Sequence, residues 1–139
     1  DLTEIMAEHH IPYVAQTLAM TNFKDLYEKA EKAIYTEGPA FLNVMAPCPR
    51  GWGYATEDLM KINKLAADTC YWPLYEVVDG KYHITYKPAK KLPVEEFLRP
   101  QKRFKHMFKP GNEWMIEEFQ KEVDKRWNEL LELEKITNK

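Results

Sequence analysis

The sequence predicts an α/β fold, and three observations carry that prediction. Helical and strand patterns alternate over residues 1–55, the stretch from Ala40 to Ala46 is almost continuously apolar, and Asp79-Gly80 separates two runs of β-forming residues. An apolar strand without alternation is typical of a parallel sheet that helices cover on both faces. An Asp-Gly pair between alternating β-formers indicates a two-residue hairpin. We therefore expect part of a doubly wound parallel sheet, followed by a β-hairpin and helices.

The first part of the chain predicts two helices and two strands in alternation. Residues 1–10 have helical spacing, and residues 11–18 form a short strand with β-forming side chains. A second helix begins after an N-cap at Asn22 and stops at Gly38. Its apolar stripe comprises Phe23, Leu26, Tyr27, Ala30, Ala33 and Ile34. Two buried parallel strands cannot cover themselves, so further strands come from elsewhere in the assembly, or the later hairpin completes a small sheet.

The second part predicts helices around the hairpin. Thr56 is a suitable N-cap for a helix that ends before Pro73, and the hairpin follows over residues 74–86. A short helix covers residues 94–98. Asn112 caps a long last helix, whose apolar face is predicted to contain Ile116, Phe119, Val123, Trp127 and Leu130.

Composition and charge exclude several classes of function. Hydrophobic residues make up 45% and charged residues 30% of the 139 residues, and the net charge is −2. Binding to nucleic acid or anionic membranes depends on a basic field that this balance does not supply. No apolar run approaches the roughly 20 residues of a membrane helix, and the start lacks the features of a signal peptide. Two cysteines are too few for a disulfide framework, so we expect a cytoplasmic protein.

One cysteine follows the strand of residues 40–46, which we expect to be a central parallel strand. The carboxyl ends of such strands are where open α/β sheets bind ligands. The segment around Cys48 reads Ala46-Pro47-Cys48-Pro49-Arg50-Gly51-Trp52. A Cys-Pro pair also closes the cluster-binding run of bacterial ferredoxins. A cluster needs four such ligands and this chain has two cysteines, so a cluster would be shared with another segment. The alternative is a buried free thiol beside a turn.

The other candidate residues favour structural roles. Cys70, near the end of a predicted helix, is interpreted as a small core residue. His9 and His10 are adjacent, so they do not face one another on a helix, and a surface or core-edge role is favoured over a metal site. The basic segment of residues 101–109 could bind phosphate or an acidic partner, but packing of its aromatic side chains on a neighbouring element is favoured. The residues alone thus indicate an α/β chain with one cysteine of functional interest.

Several motifs together resemble those of a known family. They are Ile11-Pro12-Tyr13-Val14-Ala15, Gly38-Pro39-Ala40-Phe41-Leu42-Asn43-Val44, the Cys48 segment, Trp72-Pro73-Leu74-Tyr75-Glu76, Ile84-Thr85-Tyr86-Lys87-Pro88, Pro93-Val94-Glu95-Glu96-Phe97 and Arg103-Phe104-Lys105-His106. With them the chain resembles the C-terminal part of the β subunit of 2-oxoacid:ferredoxin oxidoreductases, and most of all pyruvate:ferredoxin oxidoreductase (pyruvate synthase). The resemblance covers nearly the whole chain.

The resemblance implies a fold and a site. The family's β subunit has a thiamine-diphosphate-binding α/β fold and holds a [4Fe–4S] cluster. Residues 1–139 would be one partial domain, in which residues 1–55 are the C-terminal half of the cofactor-binding fold. Residues 56–139 would pack on that half or on partner subunits. Cys48 matches the fourth cluster ligand, whereas the other three cysteines and the Gly-Asp-Gly motif for diphosphate and Mg²⁺ lie in an N-terminal half that has no match here.

The resemblance also implies an activity. The complete enzyme would oxidatively decarboxylate a 2-oxoacid, with pyruvate expected, to acyl-CoA and CO₂, and pass electrons to ferredoxin, or it would run the reverse synthesis. The implied partners are the N-terminal half of the β subunit, other oxidoreductase subunits, ferredoxin and the substrates 2-oxoacid and CoA. This chain alone is expected to be inactive. Two alternatives stay open: a non-catalytic assembly segment, and a small thiol enzyme with Cys48 as its nucleophile.

Overall fold

Six α-helices and four β-strands make up the chain. The computed structural model describes all of residues 1–139. In chain order the elements are α1 (Leu2–Glu8), β1 (Tyr13–Leu18), α2 (Phe23–Tyr35), β2 (Ala40–Met45), α3 (Pro49–Trp52), α4 (Leu59–Asp68), β3 (Leu74–Val78), β4 (Lys81–Tyr86), α5 (Glu95–Leu98) and α6 (Glu113–Thr137), with 3-10 turns at Thr56–Asp58 and Lys102–Phe108. None of the helices combines the length and the apolar character needed to cross a membrane.

The four strands form one mixed sheet in the order β2-β1-β3-β4. β1 and β2 are parallel, with Tyr13 opposite Ala40 and Leu18 opposite Met45. β3 runs antiparallel to β1, and β4 completes the hairpin beside β3. The predicted α/β class is therefore confirmed. Of the two ways to complete the sheet, the hairpin is the one that the structure shows.

The predicted order of the strands needs one correction. β2 was expected to be a central strand covered on both faces, but it pairs with β1 alone and is an edge strand. Ala40 is exposed and Val44 is 37% exposed. All six residues of β1 are buried, so β1 is the central strand. An apolar run predicts that the faces of a strand are covered, but it does not show whether the strand has a neighbour on each side.

The outer edge of β4 is closed by the last turns of α6. The Ile84 N–H donates to Glu134 Oε1 at 2.8 Å, and the Tyr82 N–H donates to Thr137 Oγ1 at 3.0 Å. Asn138 Nδ2 in turn donates to the Tyr82 carbonyl at 2.7 Å. These side chains satisfy backbone groups that an edge strand otherwise presents for pairing. No side chain makes a comparable bond along the outer edge of β2 from Ala40 to Val44.

Helices lie on both faces of the sheet. On one face, α1 and α6 pack against the side of β1 that carries Val14 and Gln16, and Thr3 Oγ1 donates to Gln16 Oε1 at 2.7 Å. α2 lies on the other face, over β1 and β2. The largest core cluster joins α4, α5 and α6 to the ends of the strands, and it contains Leu18, Met45, Ile62, Ala66, Ala67, Cys70, Leu74, Val94, Phe97, Leu98, Met107 and Val123.

α2 contacts the sheet through charged residues. Lys29 is 1% exposed, and its Nζ donates to the Gln16 carbonyl at 2.8 Å, to Asp25 Oδ2 at 2.9 Å and to Thr85 Oγ1 at 2.8 Å. Asp25 also accepts a hydrogen bond from Thr17 Oγ1 at 2.5 Å. The buried charges are thus paired and hydrogen-bonded, as buried charges must be. Of the predicted apolar stripe of α2, Phe23, Tyr27 and Ile34 are exposed, whereas Leu26, Ala30 and Ala33 are half-buried.

Most local signals are confirmed, with small shifts at the caps. Asp79 and Gly80 have φ of 48° and 78°, as the predicted hairpin turn requires. Asn22 lies at the N-cap of α2 but is left-handed, and its side chain makes no capping bond. Thr56 opens a 3-10 turn, so α4 begins later than expected, at Leu59. Asn112 precedes α6 as predicted, but its side chain donates to the His106 carbonyl.

Candidate functional site

Cys48 lies at the carboxyl edge of the parallel pair. β1 and β2 end side by side, and the Ala19 N–H donates to the Met45 carbonyl at 3.0 Å. Cys48 follows three residues after Met45, and its thiol is exposed. The alternative of a buried thiol is therefore wrong. The predicted position at the end of a parallel strand is confirmed, although β2 is the edge strand of the sheet.

The backbone after Cys48 turns so that an N–H faces the sulfur. Cys48 is the N-cap of α3, and Pro49 occupies the first helical position, where a missing N–H costs nothing. The Gly51 N–H donates to Cys48 Sγ at 3.3 Å. An N–H donor stabilises the thiolate, which is the form that binds metal. The exposed sulfur with its own N–H donor fits one ligand of an iron–sulfur cluster.

The end of this loop is fixed against the 3-10 turn of residues 102–108. The Lys102 N–H donates to the Gly53 carbonyl at 3.1 Å. Gly53 is left-handed, with φ of 71°, and a Cβ there would lie 2.8 Å from the Cβ of Lys102. Only glycine fits both conditions, because it has no Cβ and tolerates positive φ. The loop conformation around Cys48 therefore depends on a contact about fifty residues away.

A cation and a buried hydroxyl lie beside the Cys48 loop. The Arg103 guanidinium stacks 3.9 Å above the Trp52 ring, and its Nε donates to Gln101 Oε1 at 2.8 Å. Burial lowers the pKa of Arg103, and no carboxylate pairs with it. The Tyr54 hydroxyl is buried without a hydrogen-bond partner. Burial is the larger cause that raises the pKa of the Tyr54 hydroxyl, and the charge of Cys48 is the smaller one.

Asn63 joins the two loops that leave β1 and β2. It is fully buried in α4, and its Oδ1 accepts the Met20 N–H at 3.0 Å and the Thr21 hydroxyl at 3.1 Å. Its Nδ2 lies 3.4 Å from the Met45 carbonyl and donates to it. One amide thus satisfies polar groups of both loops, which keeps the segment before Cys48 in place.

The other candidates lie in positions that are consistent with the favoured interpretations. Cys70 is 4% exposed within the core cluster, and burial raises the pKa of its thiol to about 11. His9 and His10 are exposed at the end of α1. No group of three or more His, Cys, Asp or Glu side chains in residues 1–139 could hold a metal ion. Residues 1–139 therefore do not by themselves supply a complete set of metal-ligating side chains around Cys48.

The basic segment packs its aromatic residues on the core, as expected. Met107 is buried, and Phe104 and Phe108 pack against the main cluster. The Arg99 guanidinium lies 4.4 Å from the centre of the Phe108 ring. The sequence did not single out Arg103, Tyr54 or Asn63 as parts of the site. Arg103 lies in a matched family motif and in the basic segment that was considered for binding an anionic partner.

No protein-family model matches the chain, but named relatives do. It is 45% identical over 126 residues to the pyruvate synthase subunit PorB of Methanocaldococcus jannaschii, which covers 91% of this chain and 41% of that protein. It is 43% identical over 138 residues to PorB of Thermotoga maritima, which covers 99% of this chain and 42% of the relative. The ketoisovalerate oxidoreductase subunit VorB of Pyrococcus furiosus is 40% identical over 135 residues, or 96% of this chain and 42% of its own length.

The chain spans about two-fifths of the length of these curated relatives. The aligned region includes the Cys48 segment, the hairpin and the last helix, because the match to the Thermotoga protein covers 99% of the chain. The resemblance predicted from the motifs is therefore confirmed. Over nearly its whole length, the chain is similar to the C-terminal part of PorB-type pyruvate synthase β subunits.

Proposed function

We propose that this chain is part of a 2-oxoacid:ferredoxin oxidoreductase, in which the Cys48 thiolate is the fourth ligand of a [4Fe–4S] cluster. The observation that carries the proposal is the exposed Cys48 sulfur at the carboxyl edge of β1 and β2, with the Gly51 N–H 3.3 Å away. Hydrogen bonds to cluster sulfurs are among the factors that set the reduction potential. The similarity to PorB and VorB subunits supports the same function.

The remaining ligands lie outside residues 1–139 in this proposal. The N-terminal half of the subunit contributes three cysteines, and it also binds thiamine diphosphate and Mg²⁺ through a motif that this chain lacks. When bound, the cluster accepts and passes on single electrons. Residues 1–55 then form the C-terminal half of the cofactor-binding fold, and the free edge of β2 pairs with a strand of the N-terminal half. Residues 56–139 pack on that fold or on partner subunits.

Arg103 and Tyr54 fit a negatively charged group beside Cys48. The guanidinium has no carboxylate partner, and the hydroxyl is buried without a hydrogen-bond partner. Both side chains can donate hydrogen bonds, and a positive charge near a thiolate-ligated cluster lowers the free energy of placing negative charge there. We propose that these two side chains stabilise the loop around the cluster, whereas Cys48 alone contacts iron.

The complete enzyme would couple CoA-dependent oxidative decarboxylation of a 2-oxoacid to the reduction of ferredoxin, or run the reverse synthesis. We propose pyruvate as the 2-oxoacid. The PorB relatives, named as pyruvate synthase subunits, are 43–45% identical, whereas the VorB relatives, named as ketoisovalerate oxidoreductase subunits, are 39–40% identical. Its partners would be the N-terminal half, other oxidoreductase subunits and ferredoxin in a reducing cytoplasm, in which free thiols persist.

The two cysteines give a matched test in the complete oxidoreductase complex. Cys48→Ala removes a cluster ligand, so we expect loss of iron and a fall of ferredoxin reduction by orders of magnitude. Cys70→Ala removes a small buried sulfur, so we expect a loss of roughly 1 kcal/mol of stability and unchanged iron. The measurements are iron per complex and low-temperature EPR spectra of the reduced enzyme.

Each result decides between the possible roles. Equal iron content and equal spectra in the wild type and Cys48→Ala would refute the ligand assignment. Iron loss in Cys70→Ala alone would assign the ligand to the other cysteine. Turnover that needs no iron but stops when Cys48 is alkylated would support a thiol enzyme. Normal turnover in both variants would support a non-catalytic assembly segment.

A further inference from the structure

The outer face of α2 has an apolar stripe without a partner in residues 1–139. Phe23 is 59% exposed, Tyr27 is 67% exposed and Ile34 is 76% exposed, and Ala30 lies between them on the same face. Single exposed apolar side chains are ordinary, but a contiguous row of large ones marks an interaction surface. The spacing from Phe23 to Ile34 covers three turns, or about 16 Å.

The helix cannot turn to bury this stripe on its own sheet. Asp25 and Lys29 lie on the opposite side of the helix, where the Lys29 ammonium bonds the Gln16 carbonyl and the Thr85 hydroxyl. Rotation of α2 would break these bonds and leave the buried Asp25 carboxylate without its cation, which is strongly unfavourable. The orientation that exposes the stripe is therefore fixed by the polar contacts beneath the helix.

The spacing of the stripe matches the surface of a second helix. Phe23, Tyr27, Ala30 and Ile34 are separated by four, three and four residues, which is the spacing of a helix–helix seam. A small residue between larger ones leaves room for a facing side chain. A bound strand would instead contact side chains along a sheet edge or in pockets two residues apart. The geometry points to a helix as the partner.

The length of the relatives and the place of α2 in the fold identify the source of that helix. This chain covers 41% to 43% of the PorB relatives that align over most of it, so more than half of such a subunit lies outside it. α2 packs over β1 and β2, so it lies at the end of the sheet where the proposed function adds a strand of the same N-terminal half beyond β2. We propose that a helix from the part of the subunit outside residues 1–139 packs along the Phe23–Ile34 stripe. This inference rests on the proposed function.

Two tyrosines of α2 provide a matched pair for the test. Tyr27 lies in the stripe, whereas Tyr35, which is 80% exposed, projects roughly 80° from Tyr27 around the helix. In the complete subunit within its complex, p-benzoylphenylalanine would replace Tyr27 or Tyr35, and mass spectrometry would identify the photo-crosslinked peptides. We expect Tyr27 to crosslink to a helical segment outside residues 1–139 of the same polypeptide. We expect Tyr35 to give no crosslink to that segment.

Other crosslinks overturn the proposal. A crosslink from Tyr27 to a second copy of α2 would show a dimer contact, and one to another subunit would show a subunit interface. No crosslink from Tyr27, or equal crosslinking from both positions, would show that the stripe is not a specific seam. Iron content and ferredoxin reduction of the same preparation test the proposed function separately. If the complex lacks iron and activity but Tyr27 still crosslinks, the proposed function is refuted and the helix contact is supported. If the complex is active and contains iron but Tyr27 gives no crosslink, only the helix contact is refuted.

Discussion

α2 and α6 carry similar apolar stripes and use them in opposite ways. In α6 the stripe faces the core: Val123 and Leu130 are buried, and Ile116, Phe119 and Trp127 pack against the core clusters. In α2 the stripe faces outward, and the buried residues are Asp25 and Lys29. Both helices show apolar residues three and four apart, so helical periodicity does not distinguish them. Apolar periodicity identifies the side chains that share one face of a helix. The polar contacts of the opposite face determine whether that apolar face packs against residues 1–139.

The largest effect on this comparison should come from Lys29→Met. The substitution leaves the Asp25 carboxylate buried with only the Thr17 hydroxyl, so we expect a loss of about 3–5 kcal/mol in the free energy of unfolding. Burial lowers the pKa of Lys29, and the Asp25 carboxylate opposes this shift. Removing either charge therefore leaves the other buried without a partner of opposite charge. Urea denaturation of the chain measures the change. Lys24→Met, on the exposed face, is the control and should change the free energy by less than about 0.5 kcal/mol. Equal losses in the two variants would contradict the inverted packing of α2.

In α6, Leu130→Ala should cost about 3 kcal/mol, because it removes a side chain that is 4% exposed in the core. Ile136→Ala on the same helix removes a side chain that is 53% exposed, and it should cost less than about 1 kcal/mol. Thermal unfolding of the two variants compares them under one condition. A Leu130→Ala variant as stable as Ile136→Ala would show that the α6 stripe does not anchor the helix.

A smaller effect should appear as a pH dependence at the end of α6. Burial opposes ionisation of Glu134, but bonds from Lys87 and the Ile84 N–H, and the charges of Lys87 and His83, lower the pKa of Glu134 below its ordinary value of 4.5. A lowered folded-state pKa stabilises the fold above pH 4.5, and the contribution is lost as the pH falls through the folded-state pKa. Glu134→Gln should therefore be less stable than the wild type at neutral pH and approach it in acid. A difference that stays constant from pH 7 to pH 3 would argue against this contribution.

The smallest effect is expected for Tyr27→Ser in residues 1–139. Tyr27 is 67% exposed, so the substitution should change the free energy of unfolding by no more than about 0.5 kcal/mol. In the complete subunit the same substitution should lower stability, because the proposed helix then loses a contact. Tyr35→Ser is the matched control, with equal small effects in both forms. A large loss from Tyr27→Ser in residues 1–139 would mean that the side chain already has a partner here.

The sequence predicts what short stretches of chain determine by themselves. Asp79-Gly80 fixes the hairpin through its own backbone angles, and the Cys-Pro segment places Cys48 just after a strand. Contacts between distant residues could not be predicted. The orientation of α2 depends on Lys29 meeting Thr85, which is 56 residues away. β2 was expected to be a central strand because its residues are apolar, and no property of those residues reveals that β1 alone pairs with it in residues 1–139.

The same limit applies to the candidate site. Cys48 was found because a rare residue lies in a distinctive motif. Asn63 was not found, because an asparagine within a helical pattern gives no sign that its amide will reach the Met20 N–H and the Met45 carbonyl. Arg103 belongs to a basic run, and only the fold brings its guanidinium over Trp52. Both side chains contact residues that are distant in the sequence, and local sequence patterns do not indicate such contacts.

The bonds from Glu134, Thr137 and Asn138 to β4 have a consequence for how the sheet can grow. These bonds from α6 prevent another strand from pairing with β4, because the backbone groups of β4 are already hydrogen-bonded. The sheet can therefore be extended at one edge only: a strand can be added beyond β2 but not beyond β4. Because β2 has the one edge whose backbone groups no side chain occupies, mispairing between molecules of this stretch would start there.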